Sequence, residues 1–115
     1  MAGYAFVSYA REDFEYVERL VSHLNRNGIQ TWHDRHVEHG SRWDRTIEAK
    51  LVGCSALVPV LTSASRASDW CVNELDFAME QDKPIFPLLF EGKIWLQLRR
   101  LQYDDVTRGG MPGVE

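Results

Sequence analysis

The chain reads as an α/β domain built on a parallel sheet with helices packed on both faces. Short apolar runs rich in β-forming residues begin near residues 4, 29, 56, 85 and 103, and the segments between them repeat apolar residues at helical spacing. Strands that alternate with amphipathic helices are joined by right-handed crossovers, which leave neighbouring strands parallel. A length of 115 residues fits one core. A chain of that size buries roughly two-thirds of its unfolded surface without staples or metals.

Tyr4-Ala-Phe-Val-Ser-Tyr9 is a short buried strand. Phe14, Val17, Leu20, Val21 and Leu24 mark the inner face of a first helix, with Glu15, Glu18, Arg19 and Arg26 off that face. Asp13 is placed to cap its start, and Gly28 to follow its last turn. Residues 29–33 form a second strand, and the polar stretch from Asp34 to Gly40 a loop. Ser41-Arg-Trp-Asp44 fits a capping box, after which Trp43, Ile47 and Leu51 trace one face of a second helix.

Ala56-Leu-Val-Pro-Val-Leu61 reads as a fully buried third strand. Pro59 is awkward there because it has no donor for a ladder, so it marks either a bulge or a shorter strand. Residues 63–69 read as a serine-rich loop ending in helix-start chemistry, and 70–81 as a third helix with Cys71, Leu75 and Ala78 inward. Pro84 introduces a fourth strand over 85–90, and a short helical piece over 94–101 leads to a weak fifth strand over 103–106. The glycine-rich stretch from Thr107 has no periodicity.

Composition narrows the function classes. Hydrophobic residues make up 44% and charged residues 26%, the balance of an ordinary globule. A formal charge of −4 argues against a nucleic-acid binder that works by neutralising phosphates. Cys54 and Cys71 both lie in apolar periodic segments and read as buried free thiols of a reducing compartment, a disulfide being the alternative. No run approaches the ~18 apolar residues of a membrane span, and the N-terminus lacks a secretion signature. A cytoplasmic location and no membrane partner are therefore expected.

In parallel sheets of this kind ligands collect outside the carboxyl ends of the strands, where strand order reverses. That selects residues 9–13, 34–43 and 62–74. No G-x-G-x-x-G follows the first strand, and neither a P-loop nor a G-x-S-x-G elbow is present. A phospho-acceptor pocket would use Asp34, Asp104 and Asp105, but the first strand runs into Tyr9-Ala-Arg-Glu and no lysine ends a later strand. His33, His36 and His39 are spaced by three, which suits a metal only if they converge with Asp34 or Glu38. The plainer reading is a solvated polar loop, and no metal is expected.

Three motifs in order resemble one family. Phe6-Val-Ser-Tyr-Ala-Arg-Glu-Asp-Phe14 is similar to the first box of Toll/interleukin receptor (TIR) domains. Trp32-x-Asp34 with Gly40-x-x-Trp43 and Ile47 resembles their second strand, loop and helix. Ser68-Asp-Trp-Cys-Val-Asn-Glu74 resembles the S-x-W-C-x-x-E signature at the start of the third helix. The resemblance implies a flavodoxin-like, five-stranded parallel sheet with helices on both faces. It also implies a TIR domain over 1–106, with the usual last helix missing or truncated and 107–115 a flexible tail or a linker to a further domain.

The family divides between adaptors and enzymes that cleave NAD+ at the nicotinamide–ribose bond, and the enzymes keep the glutamate that is Glu74 here. One carboxylate suffices for that chemistry. Ordinary glycosidases need a general acid for an alkoxide leaving group, whereas the nicotinamide of NAD+ is cationic and departs neutral. What remains is to stabilise a ribosyl cation in a dry site. Trp70 lies one helical turn before Glu74 and suits the stacking of a flat ring, or ordinary packing.

The resemblance adds Ser8, Tyr9 and Arg11 at the end of the first strand as substrate-binding residues. Arg11 suits the pyrophosphate or is a plain exposed arginine. Trp43 lines the nicotinamide side or packs on Ile47, Glu38 lies near the ribose, and Ser68 is a helix cap rather than a catalytic group. NAD+ enters as substrate, with no separate cofactor. The resemblance also implies self-association through the loop from Asp34 to Arg42, in the setting of immune or antiphage signalling. A noncatalytic adaptor acting through TIR–TIR contacts is the main alternative, and a nucleoside-processing glycosyl transferase on a similar sheet is a third.

Overall fold

The computed structural model describes residues 3–33 and 45–112. Its sheet has five strands, β1 (Ala5–Ser8), β2 (Thr31–Trp32), β3 (Ala56–Leu61), β4 (Leu88–Leu89) and β5 (Asp104–Asp105), in the order β2-β1-β3-β4-β5. All four pairings are parallel. The parallel sheet is the one the alternating pattern predicts, and its order is the flavodoxin-like arrangement that the resemblance implied. Strand order reverses between β1 and β3, so the carboxyl ends of those two strands flank the switch point.

Alternation along β1 and β3 divides the core into two layers. On one face Ala5, Val7, Val58 and Val60 pack with Tyr16, Val17, Leu20 and Leu24 of α1 (Phe14–Arg26). On the other, Phe6, Leu57 and Leu61 meet Ile47 and Leu51 of α2 (Arg45–Gly53), Leu75 and Ala78 of α4 (Asp69–Glu80), and Leu98. A 3-10 turn, Leu96–Leu98, replaces the longer helical piece expected before β5.

Three local expectations are corrected. Pro59 marks neither a bulge nor a strand end, because β3 runs through it as far as Leu61. Leu57 donates to the carbonyl of Pro84 and accepts from the amide of Phe86, and Leu61 accepts from Phe90. Odd-numbered residues of β3 therefore turn their backbone groups toward β4. Pro59 lacks its donor on that side, and the pairing that starts at Leu57↔Ile85 resumes only at Val60↔Leu88. The expected long fourth strand is accordingly reduced to two residues.

The serine-rich segment is also more ordered than a loop. It contains a one-turn helix, α3 (Ser63–Arg66), entered through a capping box between Thr62 and Ser65. Asp13 occupies the N-cap position of α1, as expected, but its side chain makes no bond to the helix start and its carboxylate bonds elsewhere. Gly28 has φ +83° just past the end of α1, a conformation that glycine adopts without strain.

No helix follows β5 among the described residues. The chain instead runs back across α1: Tyr16 Oη donates to Gly110 O at 2.8 Å, and His23 Nε2 lies 3.0 Å from Pro112 O. Met111 packs on the same core layer. The Tyr16 ring is stacked on Phe90 with centroids 4.3 Å apart, and burial pushes its hydroxyl up to about 12. Tyr16→Phe keeps the stack and deletes one hydrogen bond, so chemical denaturation is expected to show a loss of about 1 kcal/mol. Limited proteolysis of the folded variant is expected to cut first after Thr107.

Candidate functional site

Glu74 lies in the second turn of α4, and the start of that helix explains its placement. Ser68 is the N-cap, accepting a hydrogen bond from the Cys71 amide at 3.3 Å, as its position before the helix suggested. From that start Cys71, Glu74, Leu75 and Ala78 all fall on the buried face. A glutamate on a helix is ordinarily a solvated residue. Glu74 is 1% exposed. Its Oε1 accepts a hydrogen bond from Ser8 Oγ at 2.7 Å, across 66 residues of sequence, and Ser8 is itself 2% exposed. The contact ties the end of β1 to α4 beside the switch point.

Cys71, one turn before Glu74, shares this pocket. Burial, and after it the charge of Glu74, push its thiol up to about 12, so it is neutral at physiological pH. Cys54 is buried too, and its thiol is raised by the same desolvation. Both are free thiols, as the sequence suggested.

A second polar cluster, unforeseen from the sequence, stands beside the first. Thr62 Oγ1, at the end of β3, donates to Asp13 Oδ2 at 2.7 Å, and Ser65 Oγ accepts from the Thr62 amide at 2.8 Å. Glu91 Oε1 accepts from the Ser63 amide at 3.0 Å. Burial raises the Asp13 carboxyl above the ordinary carboxylate range, with the nearby Glu91 and Glu12 adding to the rise and the Thr62 hydrogen bond opposing it. The visible signal was Thr62-Ser-Ala-Ser65, a capping-box pattern directly after a buried strand.

The other sequence-predicted residues separate into three groups. Tyr9 is 1% exposed, with its ring 6.2 Å from that of Phe14 and 5.9 Å from that of His33. It forms part of the core rather than an open contact surface. Arg11 is exposed in a 3-10 turn before α1, and Trp70 is half-buried on α4 against the second core layer. Glu38 and Trp43, the loop from Asp34 to Arg42, and His36 and His39 lie outside the described residues. Among the described residues no three His, Cys, Asp or Glu side chains converge to hold a metal, and no helix is long and apolar enough to cross a membrane.

Two outcomes follow from these environments. At pH 8 a disulfide reagent is expected to label Cys54 and Cys71 no faster than the protein unfolds, which a labelling time course measures against the unfolding rate. Asp13 binds its proton more tightly folded than unfolded. Its contribution to stability is therefore full below its unfolded value of about 3.9 and is lost as pH rises through its higher folded value. Asp13→Asn keeps an acceptor for Thr62 and removes that titration. Urea denaturation is expected to show the variant gaining on the wild type as pH rises from about 3.5 to about 7.

Comparison with known proteins gives the family. A TIR-domain family model matches residues 5–113. The uncharacterized protein y4lF of Sinorhizobium fredii is 28% identical over 116 residues, covering 93% of this chain. The match takes in 36% of that protein, so the chain spans about a third of the relative's length. Among solved structures, the TIR domain of the Toll-related receptor TRR-2 from Hydra magnipapillata superposes with a TM-score of 0.75 at 24% identity, covering 88% of this chain and 82% of the other. The TIR domains of the activated Roq1 resistosome, which directly recognizes the pathogen effector XopQ, give a TM-score of 0.68 at 20% identity, covering 94% and 68%. At those identities the likeness is one of fold. The family model, by contrast, runs from the first residue of β1 to beyond β5, and the chain belongs to the TIR domain family.

Proposed function

We propose that this domain cleaves NAD+ at the bond between nicotinamide and ribose, with Glu74 as the catalytic residue. The observation that carries the reading is a carboxylate buried to 1% exposure and held by Ser8 at the switch point of the sheet. A solvated surface glutamate needs no such partner. The C1′–N bond breaks and its electron pair leaves with the nicotinamide nitrogen, giving neutral nicotinamide and a ribosyl cation. Water captures the cation to give ADP-ribose and a proton, or a nucleophile within the same molecule closes a cyclic product. A fixed negative charge in a water-poor site stabilises the cation far better than it would in bulk solvent.

Trp70 and Arg11 are proposed to meet the nicotinamide and the pyrophosphate, and Glu38 and Trp43 to complete the pocket. Ribose must reach a carboxylate that is closed to solvent, so the surroundings of Glu74 have to open when substrate binds. Self-association through the loop from Asp34 to Arg42 is the event proposed to drive that opening, in a cytoplasmic signalling or defence role. The same burial favours a second reading, in which Glu74 is a structural carboxylate of a noncatalytic adaptor that works through TIR–TIR contacts.

NAD+ turnover by artificially clustered protein, resolved by chromatography, separates the two. Wild type is expected to release nicotinamide, and Glu74→Gln to release about 10²–10³-fold less, the loss typical of removing one preorganised electrostatic group. No release from clustered wild type would favour the adaptor.

A further inference from the structure

Ser8 is placed by the resemblance among the substrate-binding residues. It ends β1, opposite Pro59 of β3, so its backbone is fixed by the central pairing of the sheet. It is 2% exposed. A serine hydroxyl has one proton to donate, and here that proton goes to Glu74 Oε1 at 2.7 Å. The hydroxyl also reaches the Cys71 thiol, which is neutral at physiological pH and so does not compete for the proton. Ser8 thus stands between the Cys71 thiol and the Glu74 carboxyl, with its one proton directed at Glu74 and little surface left for a ligand.

We infer that Ser8 is a positioning residue for Glu74 rather than a substrate contact: its hydroxyl fixes the orientation of the carboxylate and favours its charged form. The inference rests on the NAD+-cleaving reading for its kinetic consequences, but the Ser8–Glu74 contact exists without substrate. A hydrogen bond donated to a carboxylate stabilises the ionised state, and only that state stabilises a ribosyl cation. Removing the donor acts on turnover and on the pH at which Glu74 protonates. It has no reason to act on substrate affinity.

The test compares wild type, Ser8→Ala and Ser8→Thr as clustered protein with NAD+. Ser8→Ala is expected to lower kcat about tenfold to a hundredfold, the effect of losing a hydrogen bond to a charged group. KM is expected to stay within about twofold, and the acid limb of the kcat profile to move up by about one pH unit. Ser8→Thr, which keeps the hydroxyl, is expected to restore most of kcat and the position of the limb. A raised KM with kcat and the limb unchanged would make Ser8 a substrate ligand and overturn the inference.

A second readout needs no turnover. Infrared titration of the Glu74 carboxyl, identified by difference against Glu74→Gln, is expected to show a higher midpoint in Ser8→Ala than in wild type. If clustered wild type releases no nicotinamide, the proposed activity fails and this midpoint alone decides: a rise supports positioning, an unchanged midpoint overturns it. If Ser8→Ala does not fold, Ser8→Cys takes its place, since a thiol of similar size is a weak donor and shifts the midpoint in the same direction.

Discussion

The four residues of β1 are buried on both faces, and both edges of the strand are paired, to β2 on one side and β3 on the other. A strand in that position has to be almost wholly apolar, since each large side chain it buries contributes roughly 1.5–3 kcal/mol. Phe6 feeds one core layer while Ala5 and Val7 feed the other. The only polar side chain of the strand is that of Ser8, at its carboxyl end. The register of β1 against β3 sets where that hydroxyl lies, and α4, returning over the opposite layer from α1, brings Glu74 to it. The site is thus a by-product of the central pairing.

Burying a carboxylate is costly unless hydrogen bonds compensate the lost water. A tertiary hydrogen bond from Ser8 meets part of that cost, and a neutral thiol nearby adds no opposing charge. The Thr62–Asp13 contact is built on the same plan: a hydroxyl at the end of a central strand donates to a carboxylate from the segment that follows β1. Two strand ends at the switch point therefore each carry a hydroxyl–carboxylate pair. One pair is closed from solvent. The other is half-exposed and tuned toward its neutral form by partial burial. Polar groups this concentrated at one end of a sheet stand apart from a core that is otherwise apolar.

Much of this was readable before the coordinates. The apolar spacing of Phe14 to Leu24 and the run from Ala56 to Leu61 located α1 and β3, because burial of a face constrains composition more tightly than any local propensity. Ser68 was legible as a cap from chemistry alone. What escaped was set by tertiary contacts. Asp13 had the sequence of a cap but is held by Thr62, 49 residues away, and no local pattern reports so distant a partner. The turn from Ser63 to Arg66 is too short for periodicity to register and is specified by its capping box alone. Glu74 could be assigned by motif to the family's key position, but no local pattern reports the hydrogen bond it accepts from Ser8, 66 residues away.

The missing rung opposite Pro59 divides the sheet unequally. β2, β1 and β3 share an unbroken ladder around the two-faced core, whereas β4 and β5 attach through a bridge at Leu57↔Ile85 and a two-residue pairing beyond the gap. Local opening follows the weakest such seam and proceeds in contiguous cooperative units. The gap opposite Pro59 is therefore the weak seam between β3 and β4, and Phe90 with its aromatic stack on Tyr16 lies beyond it. Proline placement thus confines the gap to the β4 side of β3 and leaves intact the β1–β3 pairing that registers Ser8.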